Sequence, residues 1–488
     1  MKLFSVRGGI HPSYRKQATT GKKMEVLPVV PFYFLPLRQH SGAPAEPIVN
    51  VGDHVGKGQL LAEGAGRISA PVHAPTSGII RAIQEMTAPH PSGLAGQTIV
   101  LESDGKDEWA SLPEAFSDPF SIDPGVIRDR VAWAGIVGLG GAAFPAAVKL
   151  EQSSRKPIKM VVLNGAECEP YLTGDDRIMQ EHADEVISGG RLIAHSVGAP
   201  KVIIGIERNK PEAIAIMKKA ALAYDNVEIA DLPAQYPVGS ARHLVQALTG
   251  LEISARTRIA DVGVLVHNVG TARAVWRAAH YGEPLITRTV TVSGGGINDP
   301  KTLEVALGTP VRALIDYCDG MNNKAEQVVT GGPLMGVGLP NIDVPVIKGT
   351  AGILALTPQE MDHRPAAACL RCGRCVDVCP CGLSPVEMAS LIRRDKLEET
   401  EKLQVMDCFS CGSCSYVCPS HLPLVQYFNY AKGEIWNKRS EERKISRIKA
   451  LAEAKEARLA AVAEQRKQAA ARAKAAKAAA TKEEKAVQ

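Results

Sequence analysis

Eight of the eleven cysteines in this 488-residue chain fall into two copies of one spacing, which constrains the fold more than any other feature. Cys369, Cys372, Cys375 and Cys379 read C-x2-C-x2-C-x3-C-P, ending in Pro380, and Cys408, Cys411, Cys414 and Cys418 repeat the pattern before Pro419. Three thiolates at C-x2-C spacing wrap one corner of a cubane. The fourth, a turn further on and followed by proline, reaches across to a neighbouring cluster. Structural zinc is the bland competitor, but it needs four ligands in two separated pairs and has no use for the third Cys. A disulfide reading fits poorly, because no secretory signal opens the chain and so dense a thiol set belongs to a reducing compartment.

The pattern therefore predicts a bacterial two-cluster ferredoxin module with crossed ligands. One 4Fe-4S cluster takes Cys369, Cys372, Cys375 and Cys418, and the other takes Cys408, Cys411, Cys414 and Cys379. Cys381 is read as a free thiol beside the cluster, turned away by Pro380. Cys168 and Cys318 are read as buried or partly buried thiols. A helical pattern through Met388, Leu391 and Ile392 joins the two motifs.

With 45% apolar and 22% charged residues the chain is globular, which removes disordered, collagen-like and integral-membrane classes. The stretch from Val131 to Val148 is uncharged, but its glycines and Pro145 make it a loop with flanks and not a membrane span. The net charge of +5 is unevenly placed: residues 438–488 hold 15 basic and 7 acidic side chains, the remainder 42 and 45. The basic excess is thus an Ala/Lys/Arg/Glu-rich helical tail without a sustained Leu or Ile stripe. It is either a solvated helix or an arm for a partner or an anionic lipid surface. A mildly acidic globular part argues against nucleic-acid binding.

Residues 135–149 read G-I-V-G-L-G-G-A-A-F-P-A-A-V-K, a glycine-rich turn leading into a helix. Gly138, Gly140 and Gly141 let backbone approach a phosphate or an isoalloxazine ring closely. Met160 to Leu163 and Gly263 to Val266 are short apolar runs suited to buried parallel strands. They end at Asn164-Gly165-Ala166-Glu167-Cys168-Glu169-Pro170-Tyr171 and at His267-Asn268-Val269-Gly270-Thr271. Open α/β sheets bind ligands at such carboxyl ends.

These segments resemble the NADH- and FMN-binding subunit of respiratory complex I, with its G-R-G-G-A-G-F-P-T…K, N-x-D-E-x-E-P and N-N-V-x-T patterns. The whole chain, from Gly8-Gly9-Ile10-His11-Pro12 through Gly331-Gly332-Pro333-Leu334-Met335-Gly336 to the tail, is similar to the C subunits of the Rnf (Rsx) ion-translocating oxidoreductases. The resemblance implies a flavin-phosphate loop of Gly138, Gly140, Gly141 and Lys149. It also implies an isoalloxazine or ribityl lining of Asn164, Glu167, Asn268 and Thr271, with Phe144 stacking on nicotinamide. Two departures stand out: Tyr236-Pro237-Val238-Gly239-Ser240-Ala241-Arg242 lacks the acidic residues that follow the complex I Y-x-x-G turn, and Ala146 replaces the Thr of F-P-T.

The expected fold is an α/β multidomain chain. Residues 1–115 comprise an N-terminal segment with a lipoyl/biotinyl-like β-sandwich, and 116–286 an α/β FMN/NADH domain. Residues 287–357 form an SLBB β-grasp domain around one amphipathic segment from Thr302 to Asp316, 358–437 the two-cluster domain and 438–488 the tail. The sandwich hairpin, Gly66 to Ala70, holds no Lys for a swinging arm, and Lys57 falls on the entering strand.

NADH delivers two electrons and a cluster accepts one, so a non-covalent FMN is the converter between them. The resemblance implies a translocase-type NADH:ferredoxin oxidoreductase subunit. It would lie peripherally on the cytoplasmic face of a bacterial inner membrane with the other membrane and iron-sulfur subunits, and serve ferredoxin or flavodoxin indirectly. No acid–base catalytic residue is expected, and ion pumping falls to other subunits. The alternative is an iron-sulfur wire or scaffold subunit without its own NADH site.

Overall fold

A computed structural model describes residues 3–90, 92–151, 156–254 and 257–486, and in it the two apolar runs that end in asparagine become neighbouring strands, Met160–Gly165 and Val264–Asn268. They belong to a four-stranded parallel sheet in the order Val227–Leu232, Val202–Glu207, Met160–Gly165, Val264–Asn268. The chain steps outward from Met160–Gly165 to the first two strands, then returns to its other side. Strand order thus reverses between Met160–Gly165 and Val264–Asn268, the position where such sheets open a ligand crevice. Alternation buries Val161, Leu163 and Leu265 on one face, against helices Pro124–Trp133, Ala183–Val197 and Val269–His280. Val162 and Val266 lie on the other, with Leu244 and Leu248.

Residues 32–103 form the expected sandwich. One antiparallel sheet runs Phe32–Pro36, Ala95–Ser103, Gly78–Thr87, His54–Val55, and a second runs Glu46–Pro47, Leu60–Glu63, Val72–His73. Lys57 is not on a strand as expected. It follows His54–Val55 in an isolated bridge with Trp109, its ammonium 2.6 Å from Asp107.

The SLBB region supplies five strands of a six-stranded mixed sheet whose outer strand, Glu25–Val26, comes from the N-terminal segment. Thr302 to Asp316 is not one amphipathic segment. Lys301–Ala306 is a strand and Val311–Tyr317 a helix, separated at Gly308 (φ +88°), where an added Cβ would meet Leu35 Cδ2 at 2.8 Å and Phe34 O at 2.9 Å. Short apolar runs do not by themselves distinguish strand from helix, and Pro310 breaks any continuous helix here. Sandwich and SLBB residues share one core, in which Leu35, Ile99 and Leu101 join Val290, Leu303, Leu314 and Ile353.

The N-terminal segment also runs as an arm along the parallel-sheet domain. Phe4 N donates to Ala247 O, Gly9 N to Val378 O, and Ile10 exchanges backbone bonds with Tyr236. Gly8 (φ +63°) has no room for a side chain, since a Cβ would lie 2.7 Å from Val378 O.

The chain divides into two compact units, Met1–Val386 with Asp407–Val425, and Glu387–Met406 with Gln426–Gln488. The tail belongs to a single helix, Leu424–Ala486, that begins well before residue 438 and from Gln426 onward is part of the second unit. Phe428, Ala431 and Ile435, at helical spacing, are buried, whereas Ile445, Ile448, Leu451 and Leu459 are exposed. Arg439 and Lys438 pair with Glu401 and Glu398. No helix among the described residues is long and apolar enough to cross a membrane.

Candidate functional site

Asn164 and Asn268 stand opposite each other in register at the sheet's switch point. Asn268 caps the helix Val269–His280, its Oδ1 accepting from Gly270 N at 2.8 Å, so the helix N-terminus opens into the crevice. The glycine loop lies above: a Cβ on Gly140 would be 3.5 Å from Asn268 Cβ, and one on Gly141 (φ +106°) would meet nothing. Thr271 is 0% exposed, its hydroxyl accepting from Leu139 N at 2.9 Å and donating to Val137 O. Both bonds fasten the glycine loop. Lys149 reaches beneath Gly138 and donates to Val266 O at 3.2 Å, with burial lowering its pKa. Beside it His267 is buried with neither ring nitrogen partnered, its pKa held well below the usual value by burial and by the Lys149 charge. Phe144 is half-buried at the end of the loop, its carbonyl accepting from Gly138 N.

The strand-end loop 166–172 is shaped by four charged side chains, of which only Glu167 stands out in the sequence as a site residue. Glu167 (φ +48°) accepts from Asp175 N and Asp176 N, the first turn of helix Gly174–Glu181. Lys16 donates to the carbonyls of Glu167, Glu169 and Leu172, and Lys210 to that of Ala166. Burial and the nearby Lys210 charge bring Lys16 down to about 8. Glu169 accepts from Leu334 N at 3.1 Å and Met335 N at 2.9 Å, and burial pushes it up to about 7. Asp175, missed in the sequence, receives Asn268 Nδ2 at 2.6 Å. Burial and the Glu167 charge raise its pKa. Asn164 is committed likewise, Nδ2 to Gly239 O at 2.8 Å and Oδ1 from Ala166 N.

The two cysteine motifs adopt one backbone twice. Arg371 and Ser410 have φ of +52° and +61°, Gly373 and Gly412 +80° and +82°, and one-turn helices follow at Arg374–Asp377 and Ser413–Tyr416. The folded chain gathers the thiols into two sets. Besides burial, Cys375 is raised by the charges of Cys418, Cys372 and Cys369, and Cys414 by those of Cys411, Cys408 and Cys379. Backbone amides point at the sulfurs, from Arg371 to Cys369, Ser410 to Cys408 and Leu383 to Cys379, each at 3.4 Å. Cys381 sits at the edge of the second set, its thiol 3.6 Å from Asp407 O, and burial pushes it up to about 12. Among the described residues no three His, Cys, Asp or Glu side chains close on a single metal ion.

Surroundings distinguish the sets. Cys379, Cys411 and Cys414 are buried, and Cys411 packs with Ile10, Tyr236, Cys168 and Phe409. Cys369 and Cys372 are exposed, with Leu370 between them 71% exposed.

The residues suit the cofactors they imply. Lys149 and the unpartnered His267 nitrogens place cationic and polar capacity beside the glycine loop and a helix N-terminus, as a flavin phosphate requires. Eight thiols with sulfur-directed amides suit two cubanes. Residues 131–277 match the Nuo51 FMN-binding domain and 361–445 the 4Fe-4S dicluster domain. Residues 4–106 match the RnfC barrel sandwich hybrid domain and 289–338 the SLBB domain. Fold and site define an electron-transfer protein that carries FMN and two 4Fe-4S clusters.

The C subunit of the ion-translocating oxidoreductase complex of Rhodobacter capsulatus is 49% identical over 445 residues, 91% of this chain and 85% of that one. Its namesake in Haemophilus influenzae (strain PittEE) is 41% identical, covering 94% and 70%. The C subunit of the proton-translocating ferredoxin:NAD(+) oxidoreductase complex of Clostridium ljungdahlii is 44% identical, covering 88% and 94%. The chain belongs to this family of oxidoreductase complex C subunits, whose partners are the complex's other subunits.

Proposed function

We propose that this chain is the electron-input subunit of such a complex, itself catalytic toward NADH and lying peripherally on the cytoplasmic face of the membrane. FMN, held without a covalent bond, would supply the conversion between two-electron NADH and one-electron clusters. Gly138, Gly140, Gly141, Lys149 and His267 hold its phosphate end. Asn164 and Asn268, fixed by Gly239 O and Asp175, frame the ring end, and Phe144 closes the nicotinamide side. The set Cys408, Cys411, Cys414 and Cys379 holds the first acceptor, and Cys369, Cys372, Cys375 and Cys418 hold the cluster that hands electrons to the next subunit and, through it, to ferredoxin or flavodoxin.

One observation carries this order: Cys411 of the second motif packs with Tyr236 and Cys168 of the flavin-binding domain, while Cys369 and Cys372 are exposed. The chain's own work is positioning.

A second reading, a wire subunit without an NADH site, is favoured by the turn Tyr236–Arg242. The turn carries no carboxylate, and its tyrosine hydroxyl is committed to Cys411 O. Anaerobic addition of NADH to the purified chain separates the two. Bleaching of flavin absorbance at micromolar NADH supports the first reading, and an unbleached flavin that dithionite still reduces supports the second.

A further inference from the structure

Tyr236 is 1% exposed and bonded at every polar atom. Its amide and carbonyl pair with Ile10, and its hydroxyl donates to the Cys411 carbonyl at 2.6 Å. The turn that it opens closes on itself through Val238 N to Gln235 O and Ser240 N to Pro237 O. Three residues on, Gly239 O receives the Asn164 side chain, and an added Cβ on Gly239 would lie 3.0 Å from Cys168 Sγ. A single short turn thus touches the flavin crevice at one end and a cluster-ligand residue at the other. Neighbouring contacts reinforce the junction: His243 bonds Pro380 O at 3.1 Å and packs on Phe409 with ring centroids 5.4 Å apart.

We propose that Tyr236 is a positioning residue that both seats the second-motif cluster against the flavin crevice and tunes it, through its hydrogen bond to the Cys411 carbonyl. The proposal rests on Cys379, Cys408, Cys411 and Cys414 sharing one cluster. The O–H dipole turns its positive end toward a ligand residue, which favours the extra negative charge of the reduced cluster and so raises its potential. The bond also fixes the spacing between the flavin crevice and the second motif, because the ring packs in one core cluster with Ile10 and Cys411. Outer-shell partners of this kind typically matter about 10- to 100-fold.

Tyr236→Phe keeps the ring and removes only the donor. In the full chain, iron and flavin are first measured; fewer than two clusters in the unmodified protein would defeat the cluster assignment itself and not this inference. With both loaded, EPR-monitored redox titration of Tyr236→Phe should move the second-motif cluster to lower potential and leave the first-motif cluster in place. Electron transfer out of the reduced flavin should slow by about 10-fold. Fluorotyrosine incorporated at position 236, a stronger donor of nearly the same shape, should shift the same cluster upward. That arm remains decisive if Tyr236→Phe loads poorly. Unchanged potential and rate in Tyr236→Phe, equal shifts at both clusters, or a downward shift with fluorotyrosine overturns the proposal.

Discussion

Asn268 gives its side-chain amide to Asp175 at 2.6 Å while its carbonyl oxygen caps Gly270, so both ends of one side chain are fixed where two strands part. Asp175→Ala leaves that amide only the longer contact to Asn164 O at 3.4 Å. Losing a hydrogen bond to a carboxylate costs on the order of 2 kcal/mol. FMN affinity should fall by one to two orders of magnitude while iron content stays unchanged, as read by fluorescence titration of apoprotein with FMN.

Glu169 ties the strand-end loop to residues 334–335, and burial raises its pKa from 4.5 to about 7. A raised carboxyl contributes stability that is complete below pH 4.5 and is lost as pH rises through about 7. The span corresponds to roughly 3 kcal/mol. Thermal unfolding between pH 4.5 and 8 should show this downward contribution, and Glu169→Gln should flatten it. Equal slopes in the two proteins would refute it.

Gly140 and Gly141 should respond differently. At Gly140 a methyl makes ordinary contact with Asn268, so Gly140→Ala is tolerated, whereas the branched chain of Gly140→Val intrudes on the crevice and abolishes FMN binding with iron near wild type. At Gly141, with φ +106°, any side chain is strained by about 1–3 kcal/mol. Gly141→Ala should therefore lower Tm as well as flavin content.

Cys379 and Cys381 are two residues apart with opposite expected fates. Cys379 stands within the second thiol set, and Cys381 turns its thiol to Asp407 O. Cys381→Ala should keep full iron, whereas Cys379→Ala should lose the second-motif cluster. Iron analysis with EPR of the reduced variants checks both.

What the sequence disclosed was whatever chemistry is written locally. Cluster ligands sit within eleven residues of one another in each motif, and Asn164 and Asn268 end apolar runs. Asp175 and Lys16 were hidden because their partners are remote: Lys16 meets carbonyls more than 150 positions away, and Ile10 pairs with Tyr236. The lack of a carboxylate in the Tyr236 turn is legible in the sequence, but nothing local discloses that its hydroxyl faces Cys411. Thr271 reads as a flavin-lining residue from its motif alone; only the fold reveals that its hydroxyl bonds the glycine loop at Leu139 N and Val137 O.

The order of the two clusters is tested most directly by removing one at a time and freeze-quenching after reduction of the flavin. In Cys418→Ala the second-motif cluster should still be reduced at its normal rate, and electrons should stop there. In Cys414→Ala the flavin should stay reduced and the intact first-motif cluster should remain oxidised. Rapid reduction of the first-motif cluster in Cys414→Ala would contradict an order in which the cluster beside Tyr236 is reduced first and the one at exposed Cys369 and Cys372 second.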